Sequence, residues 1–334
     1  MKGPVASPAG LVHQADMIAR LFPDRFVLML LGAILLGWLM PATGGALDVA
    51  QRISNVSIFA LFFLHGLRLP RKEVLAALKS WKLQAGMLAF TFLIFPLAGW
   101  GLAQAAGSLL PVALLSGVMY CAMLPSTVQS AISYSSMANG NIAGSVVGAA
   151  ISNLLGIIAT PLLVAVVIGA AAGVSLHSET IMRIATMLLL PFALGQIAQS
   201  WMGAWAVRQK RLLSFFDRLV IVIAVYVAFS AAVASGSLAG VDGGTLLVLM
   251  VVIGLLLLAA FAGSWALGHL LGLDRANRTS LIFAGAHKSI ATGAPMAAIL
   301  FGSGAGLILL PAILYHMAQL LVSAPIAARL AKGS

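Results

Sequence analysis

The chain has 334 residues, of which 61% are hydrophobic and only 8% charged, and its mean hydropathy is +1.07. A soluble domain carries about 25% charged residues, so this composition excludes a soluble globular protein and identifies an integral membrane protein. The formal charge of +11 falls in short clusters between apolar runs, which argues against a nucleic-acid surface, and the single cysteine, Cys121, excludes a disulfide framework or a cysteine metal site.

The first 25 residues contain Asp16, Arg20, Pro23 and Arg25 and lack the apolar core of a cleavable signal peptide. The apolar runs that follow are near the ~20 residues needed to cross hydrocarbon as a helix, and they do not alternate as barrel strands would. They predict an all-α membrane protein with ten spans, at 26–42, 47–67, 82–105, 110–137, 142–170, 180–202, 214–236, 244–271, 279–302 and 305–328. Basic residues mark the cytoplasmic side. Lys2, Arg20 and Arg25 precede the first span, and Arg68, Arg71, Lys72, Lys79 and Lys82 lie between the second and third. Arg208, Lys210, Arg211 and Arg218 fall around the connection between the sixth and seventh, Arg275 and Arg278 between the eighth and ninth, and Arg329 and Lys332 in the tail. Only Arg52, Arg183 and Lys288 of the 19 basic residues depart from this pattern. It predicts both termini in the cytoplasm of a cell whose inner membrane holds the chain.

Ten spans divide into two sets of five, and an odd number per set inverts the second in the membrane. The expected division is a cytoplasmic segment 1–25, a first five-helix repeat 26–170, an outer loop with the sixth helix 171–206, and the rest of the second repeat 207–334. The fourth span of each set is a poor helix. The first reads CAMLPSTVQSAISYSSMANGN, with Pro125 among hydroxyl and amide residues; the second contains AGAHKSIATGAP, with Gly285, Gly293 and Pro295. Paired interrupted segments in corresponding positions point to the binding site of an inverted-repeat transporter.

Backbone that leaves helical geometry inside a membrane survives only where it is buried in protein or lines a wet cavity. Ser126, Thr127, Gln129, Ser130 and Ser133 can re-satisfy the groups freed around Pro125, and Ser289 and Thr292 can do the same in the ninth span. A kinked helix whose hydroxyls bond their own turn is the alternative. Lys288 carries a stronger signal, because a charge inside the bilayer costs at least ~2.5–3.5 kcal/mol and marks a functional site by default. It lies about ten residues into its span, too deep to snorkel readily to the interface. His287 is either a ligand or a buried structural imidazole. Asn141, Ser145, Ser152 and Asn153 can form one polar stripe on the fifth span, with small-residue packing as the competing explanation. His316 and Gln319, three apart in the tenth span, can face a cavity or bond across helices; Asn55, His65 and Gln196 read as interhelical hydrogen-bond formers.

No carboxylate is expected in the middle of a span, which disfavours an antiporter built on an intramembrane Asp or Glu. No hydrolase constellation is visible, so the chain reads as a non-enzyme. There is no G-x-x-x-x-G-K-[ST] loop to bind ATP.

These features resemble the bile acid:sodium symporter superfamily, in its SBF-like symporter branch, which includes the divergent seventh member of solute carrier family ten and bacterial relatives. The resemblance rests on LPSTVQSA…NGN…TPLL over 124–163 and on the ninth-span HKS with its following Gly and Pro. It implies ten helices in two inverted repeats with broken, crossing fourth and ninth helices, and a secondary transporter of a small organic anion or amphipathic solute. Together with the residues singled out above, the expected site set is Ser126, Thr127, Gln129, Ser130, Ser145, Asn153, His287, Lys288, Ser289, Thr292 and His316.

In sodium-coupled members two sodium ions sit behind the crossing. Ser130 and Ser145 match two of those ligands, whereas Ala131, Ala149, Thr91, His287 and Ala291 stand where Asn, Thr, Gln, Glu and Gln are expected. Sodium is thus the only bound ion implied, on a depleted ligand set, and no organic cofactor is. Lys288 either stands in for a cation at the crossing, faces the cleft to pair with an anion, or couples transport to protons. Resemblance to eukaryotic members leaves open a second reading, a non-transporting membrane regulator of calcium homeostasis. The expected partners are a small solute and the bilayer; the abundant Gly and Ala serve packing within one chain as readily as between chains.

Overall fold

The computed structural model describes residues 25–68, 80–169 and 182–332. The N-terminal segment, with the expected absence of a signal peptide, lies outside the described residues, as do Arg71, Lys72, Lys79 and the outer stretch 170–181. Every regular element among the described residues is helical. In chain order these are α1 (Arg25–Leu39), α2 (Gly44–Leu67), α3 (Trp81–Ala105), α4 (Val112–Met123), α5 (Gln129–Met137), α6 (Ile142–Val167), α7 (Met182–Arg208), α8 (Lys210–Ala234), α9 (Gly243–Leu270), α10 (Arg275–Ala286), α11 (Ile290–Phe301) and α12 (Ala305–Lys332). Among the described residues, seven stretches are long and apolar enough to cross a membrane, the last of them running from Arg275 to Lys332, and α1 and α4 add two shorter apolar helices.

Helix starts follow from side chains that accept the first free N–H groups. Asn141 caps α6 through the Gly144 N–H at 2.8 Å, Asp242 caps α9 through Thr245 at 2.7 Å, and Asp274 caps α10 through Asn277 at 2.8 Å. The cap at Asp274 starts α10 four residues before the expected ninth span, so Arg275 and Arg278 lie in its first turn rather than in a loop. The connection between α7 and α8 is likewise shorter than expected. Only Gln209 separates the two helices, because Arg208, Lys210 and Arg211 are good helix formers and carry the helices past the apolar windows.

Two helices contain a π-turn followed by proline. In α3 it spans Phe90–Ile94 before Pro96, and in α7 Ala185–Leu189 before Pro191. The Phe95 N–H donates to the Phe90 carbonyl, five residues back, and Pro96 has no N–H to give. The Thr91 carbonyl is therefore left without a helical donor.

The helices pack as two groups. α1, α2, α7 and α8 form one, in which α2 lies along α7 and α8 crosses both α1 and α2. The rest form the other, and α8 bridges the groups through α11, α12 and the Gly302–Gly304 turn. Backbone touches backbone where α2 meets α7. A Cβ on Gly66 would strike the Phe192 carbonyl, and one on Gly195 would strike that of Phe63. Gln196 donates to the Gly66 carbonyl across the same contact, as an interhelical hydrogen-bond former should.

The helix ends rich in basic residues come together. The Asn141 N–H donates to the Ala276 carbonyl at 3.0 Å, Arg275 donates to the Leu330 carbonyl, and Lys82 and Asp274 line one shallow cleft. At the far end of α2, Arg68 forms an ion pair of 2.8 Å with Asp217 of α8. Asp217 thus ties α8 to the end of α2.

Candidate functional site

The poor helices at the fourth and ninth spans are broken, and the breaks meet. α4 ends at Met123 because Leu124, ahead of Pro125, is forced into extended geometry at φ −69°, ψ 148°. α10 ends at Ala286, and His287 and Ser289 are extended at ψ 132° and 102°. Between them one backbone bond crosses directly, from the Ser289 N–H to the Pro125 carbonyl at 2.9 Å.

Each exposed peptide group at a membrane break needs a partner, and here protein groups supply them. Around the first break, Thr160 donates to the Met123 carbonyl at 2.8 Å and Lys288 Nζ to that of Leu124 at 2.9 Å. Asn153 Nδ2 donates to that of Ser126 at 2.7 Å, and the Ser126 N–H reaches Ser152 Oγ at 3.0 Å. Around the second break, Tyr315 donates to the Ala286 carbonyl at 2.7 Å. Gln319 binds both peptide groups of Lys288: its Oε1 accepts the N–H at 2.8 Å and its Nε2 donates to the carbonyl at 3.1 Å. Ser289 Oγ then accepts from the Thr292 N–H at 3.3 Å and starts α11. Tyr120, on α4, donates to the Gly293 carbonyl at 2.6 Å and fixes the first turn of α11.

Lys288 is only 1% exposed. Its ammonium donates to the Leu124 carbonyl and, at 3.3 Å, to the Thr91 carbonyl that the π-turn of α3 sets free. The Phe95 ring lies below it, 4.6 Å from ring centre to nitrogen, in cation–π geometry. The ammonium thus points toward α3 and the end of α4.

His287 is fully buried and faces a different set of groups. Its Nδ1 meets Ser130 Oγ at 2.8 Å and its Nε2 meets Ser323 Oγ at 2.6 Å. Ser130 Oγ in turn meets Thr127 Oγ1 at 2.5 Å. The hydroxyls can take either role, so a neutral ring is satisfied at both nitrogens. The rings of Tyr134, Phe261 and Phe283 surround the imidazole and lie nearly perpendicular to it.

The structure gathers most of the expected site residues into two networks. Thr127, Ser130 and His287 form one; Ser126, Asn153, Ser289 and Thr292 form the other, closed by Thr292 Oγ1 donating to Asn153 Oδ1 at 2.7 Å. His316 joins through Gln319, whose Nε2 lies 2.8 Å from its Nδ1. Three residues stand apart. Gln129 is exposed at the start of α5, and Ser145 bonds Ser135 at 2.9 Å rather than any group shared with Ser130. Lys288 has its head in a third environment. Among the described residues no three His, Cys, Asp or Glu side chains gather as a metal site.

Sequence reasoning left several members of these networks out of the site: Tyr120, Thr160, Tyr315 and the Thr91 carbonyl, with Gln319 noticed only for its spacing to His316. Each binds a group outside its own helix, and none is flagged by an unusual residue type in its span.

Residues 24–332 match the SBF-like CPA transporter family. Protein PA2026 of Pseudomonas aeruginosa is 38% identical over 314 residues, covering 94% of each chain. YfeH of Escherichia coli (strain K12), named as a candidate symporter, is 38% identical over 308 residues, covering 92% of each. Sodium/bile acid cotransporter 7-B of Xenopus laevis is 28% identical over 320 residues, covering 92% of this chain and 91% of its own. The chain therefore belongs to the SBF-like CPA transporter family, a family of membrane transporters and not of enzymes.

Proposed function

We propose that this protein is a secondary active transporter of a small organic anion or amphipathic solute, working by alternating access without a sodium ion at the crossing. Its ten spans, grouped as 26–170 and, with the outer loop and sixth helix 171–206, 207–334, form two inverted five-helix repeats in an inner membrane, with both termini cytoplasmic. The meeting of two broken helices, bonded from Ser289 to Pro125, carries this reading. Such a junction is needless in a passive bundle and gives a transporter a rigid centre around which its two helix groups can rock.

Exposure supports a solute face on α5. Gln129, Ser133 and Ser136 are exposed on one face of α5, spaced i, i+4, i+7. Lipid does not solvate an amide and two hydroxyls there, whereas a wet cleft does. No side chain caps the N-terminus of α5, so its N–H groups favour an anionic solute group. Lys288 does not enter this face. The sodium reading is weakened by the separate partners of Ser130 and Ser145.

The test is uptake by the purified protein in liposomes, with taurocholate as the first probe and a panel of smaller organic anions after it. Saturable uptake above that of empty liposomes, unchanged when choline replaces sodium and reduced by Gln129→Ala with Ser133→Ala, is expected. Absence of saturable uptake across the panel overturns the reading in favour of the membrane regulator of calcium homeostasis.

A further inference from the structure

The surroundings of the Lys288 ammonium have the chemistry of a binding site for a small monovalent cation. Two carbonyl oxygens converge on one point in the protein interior, and neither has a donor from its own helix. That of Thr91 is freed because the Phe95 N–H is bound elsewhere and Pro96 has none; that of Leu124 is freed by the break at Pro125. A π-face, that of Phe95, completes a third side. The Thr91 hydroxyl, on a residue with no exposure, has no hydrogen-bond partner, so a further oxygen is buried beside the same carbonyl. Unbonded carbonyls in a membrane interior cost several kcal/mol each, and a cation satisfies more than one of them at once. The only cation here is covalently attached.

We propose that the Lys288 ammonium is the resident occupant of a monovalent-cation site formed by the Thr91 and Leu124 carbonyls and the Phe95 ring. It pins α3, α4 and the α10–α11 break together in the way a bound alkali or ammonium ion would. A free ion finds the site filled in the native protein, and vacating the ammonium position creates a site that free cations enter. Its consequence for coupling, that no alkali ion is carried at this point, rests on the transporter reading; the site itself does not.

Lys288→Met tests this, because it keeps the aliphatic stem and removes only the charged head. Thermal unfolding of the detergent-purified protein is followed as ammonium, sodium or potassium chloride replaces choline chloride at constant ionic strength. A ligand that binds only the folded state raises Tm with its concentration. The variant is expected to melt below the native protein and to recover with at least one of the three ions in a saturable, ion-selective way, while the native protein stays flat. A flat response of the variant to all three ions overturns the proposal, and so does an equal rise in the native protein. If the methionine variant fails to fold, Lys288→Ala purified in propylammonium chloride replaces it, since that ion restores the deleted atoms. Stabilisation by propylammonium but not by the same concentration of 1-propanol supports the site, and equal effects or none overturn it. A cation response without solute uptake leaves the site standing and removes the transporter reading; uptake with no cation response does the reverse.

Discussion

Replacing Gln319 with leucine removes a single side chain and takes a partner from two peptide groups. The carboxamide is fully buried and binds both the N–H and the carbonyl of Lys288, at 2.8 and 3.1 Å. In a strand those groups would find a neighbouring strand, and in a helix the next turn; at the α10–α11 break the N–H has only this amide, and the carbonyl has besides it the His316 Nδ1 at 3.4 Å. Leucine preserves the volume and offers no polar atom. A buried group deprived of its partner costs about 1–3 kcal/mol, so two of them set a range of roughly 2–6 kcal/mol for Gln319→Leu, and the His316 contact left at the carbonyl puts the expected loss in its lower half. Thr160→Val, nearly isosteric, strands only the Met123 carbonyl at the other break and should cost about half as much. Equilibrium unfolding in mixed micelles of a mild detergent and dodecyl sulfate measures both. A loss below ~1 kcal/mol for Gln319→Leu, or one no larger than that of Thr160→Val, would show that the break does not depend on this amide.

Two further outcomes follow from the geometry. Gly66→Ala drives a methyl group into the Phe192 carbonyl where α2 meets α7, and overpacking of this kind should cost about 1–3 kcal/mol; Gly45→Ala, whose new methyl meets nothing within 4 Å, should not destabilise the same helix, and equal losses would refute the contact argument. Asp242, outside the spans, has its carboxyl held below its ordinary 3.8 chiefly by the Thr245 N–H it caps. A depressed carboxylate stabilises the fold above its unfolded value and loses that contribution as pH falls through the folded one, so acid stability measured from pH 5 downward should be flatter below about pH 4 in Asp242→Ala than in the native protein, and identical pH profiles would refute the cap.

The amino-acid sequence by itself determined the membrane class and most helix bounds. Its prediction of 142–170 meets α6 at Ile142–Val167, and 82–105 meets α3 at Trp81–Ala105. The reason is local. Lipid offers no hydrogen bonds, so each span must satisfy its own backbone and its residues must be apolar, which makes its length readable one segment at a time. The two breaks were equally legible, through Pro125 and through HKS, because a proline and an intramembrane charge are costly enough to stand out.

Only the tertiary structure decided which groups meet at those breaks. Lys288 reaches carbonyls 197 and 164 residues away in sequence, and nothing in the lettering around Thr91 announces a carbonyl freed by a π-turn. The sequence left open which groups the lysine faces, and the structure encloses its ammonium between the Thr91 and Leu124 carbonyls and the Phe95 ring. Gln319 looks like any polar residue on a long helix, and only packing sets its amide on both sides of one residue. Such partners are chosen by packing between helices distant in sequence, and a pattern of apolar periods carries no record of that choice.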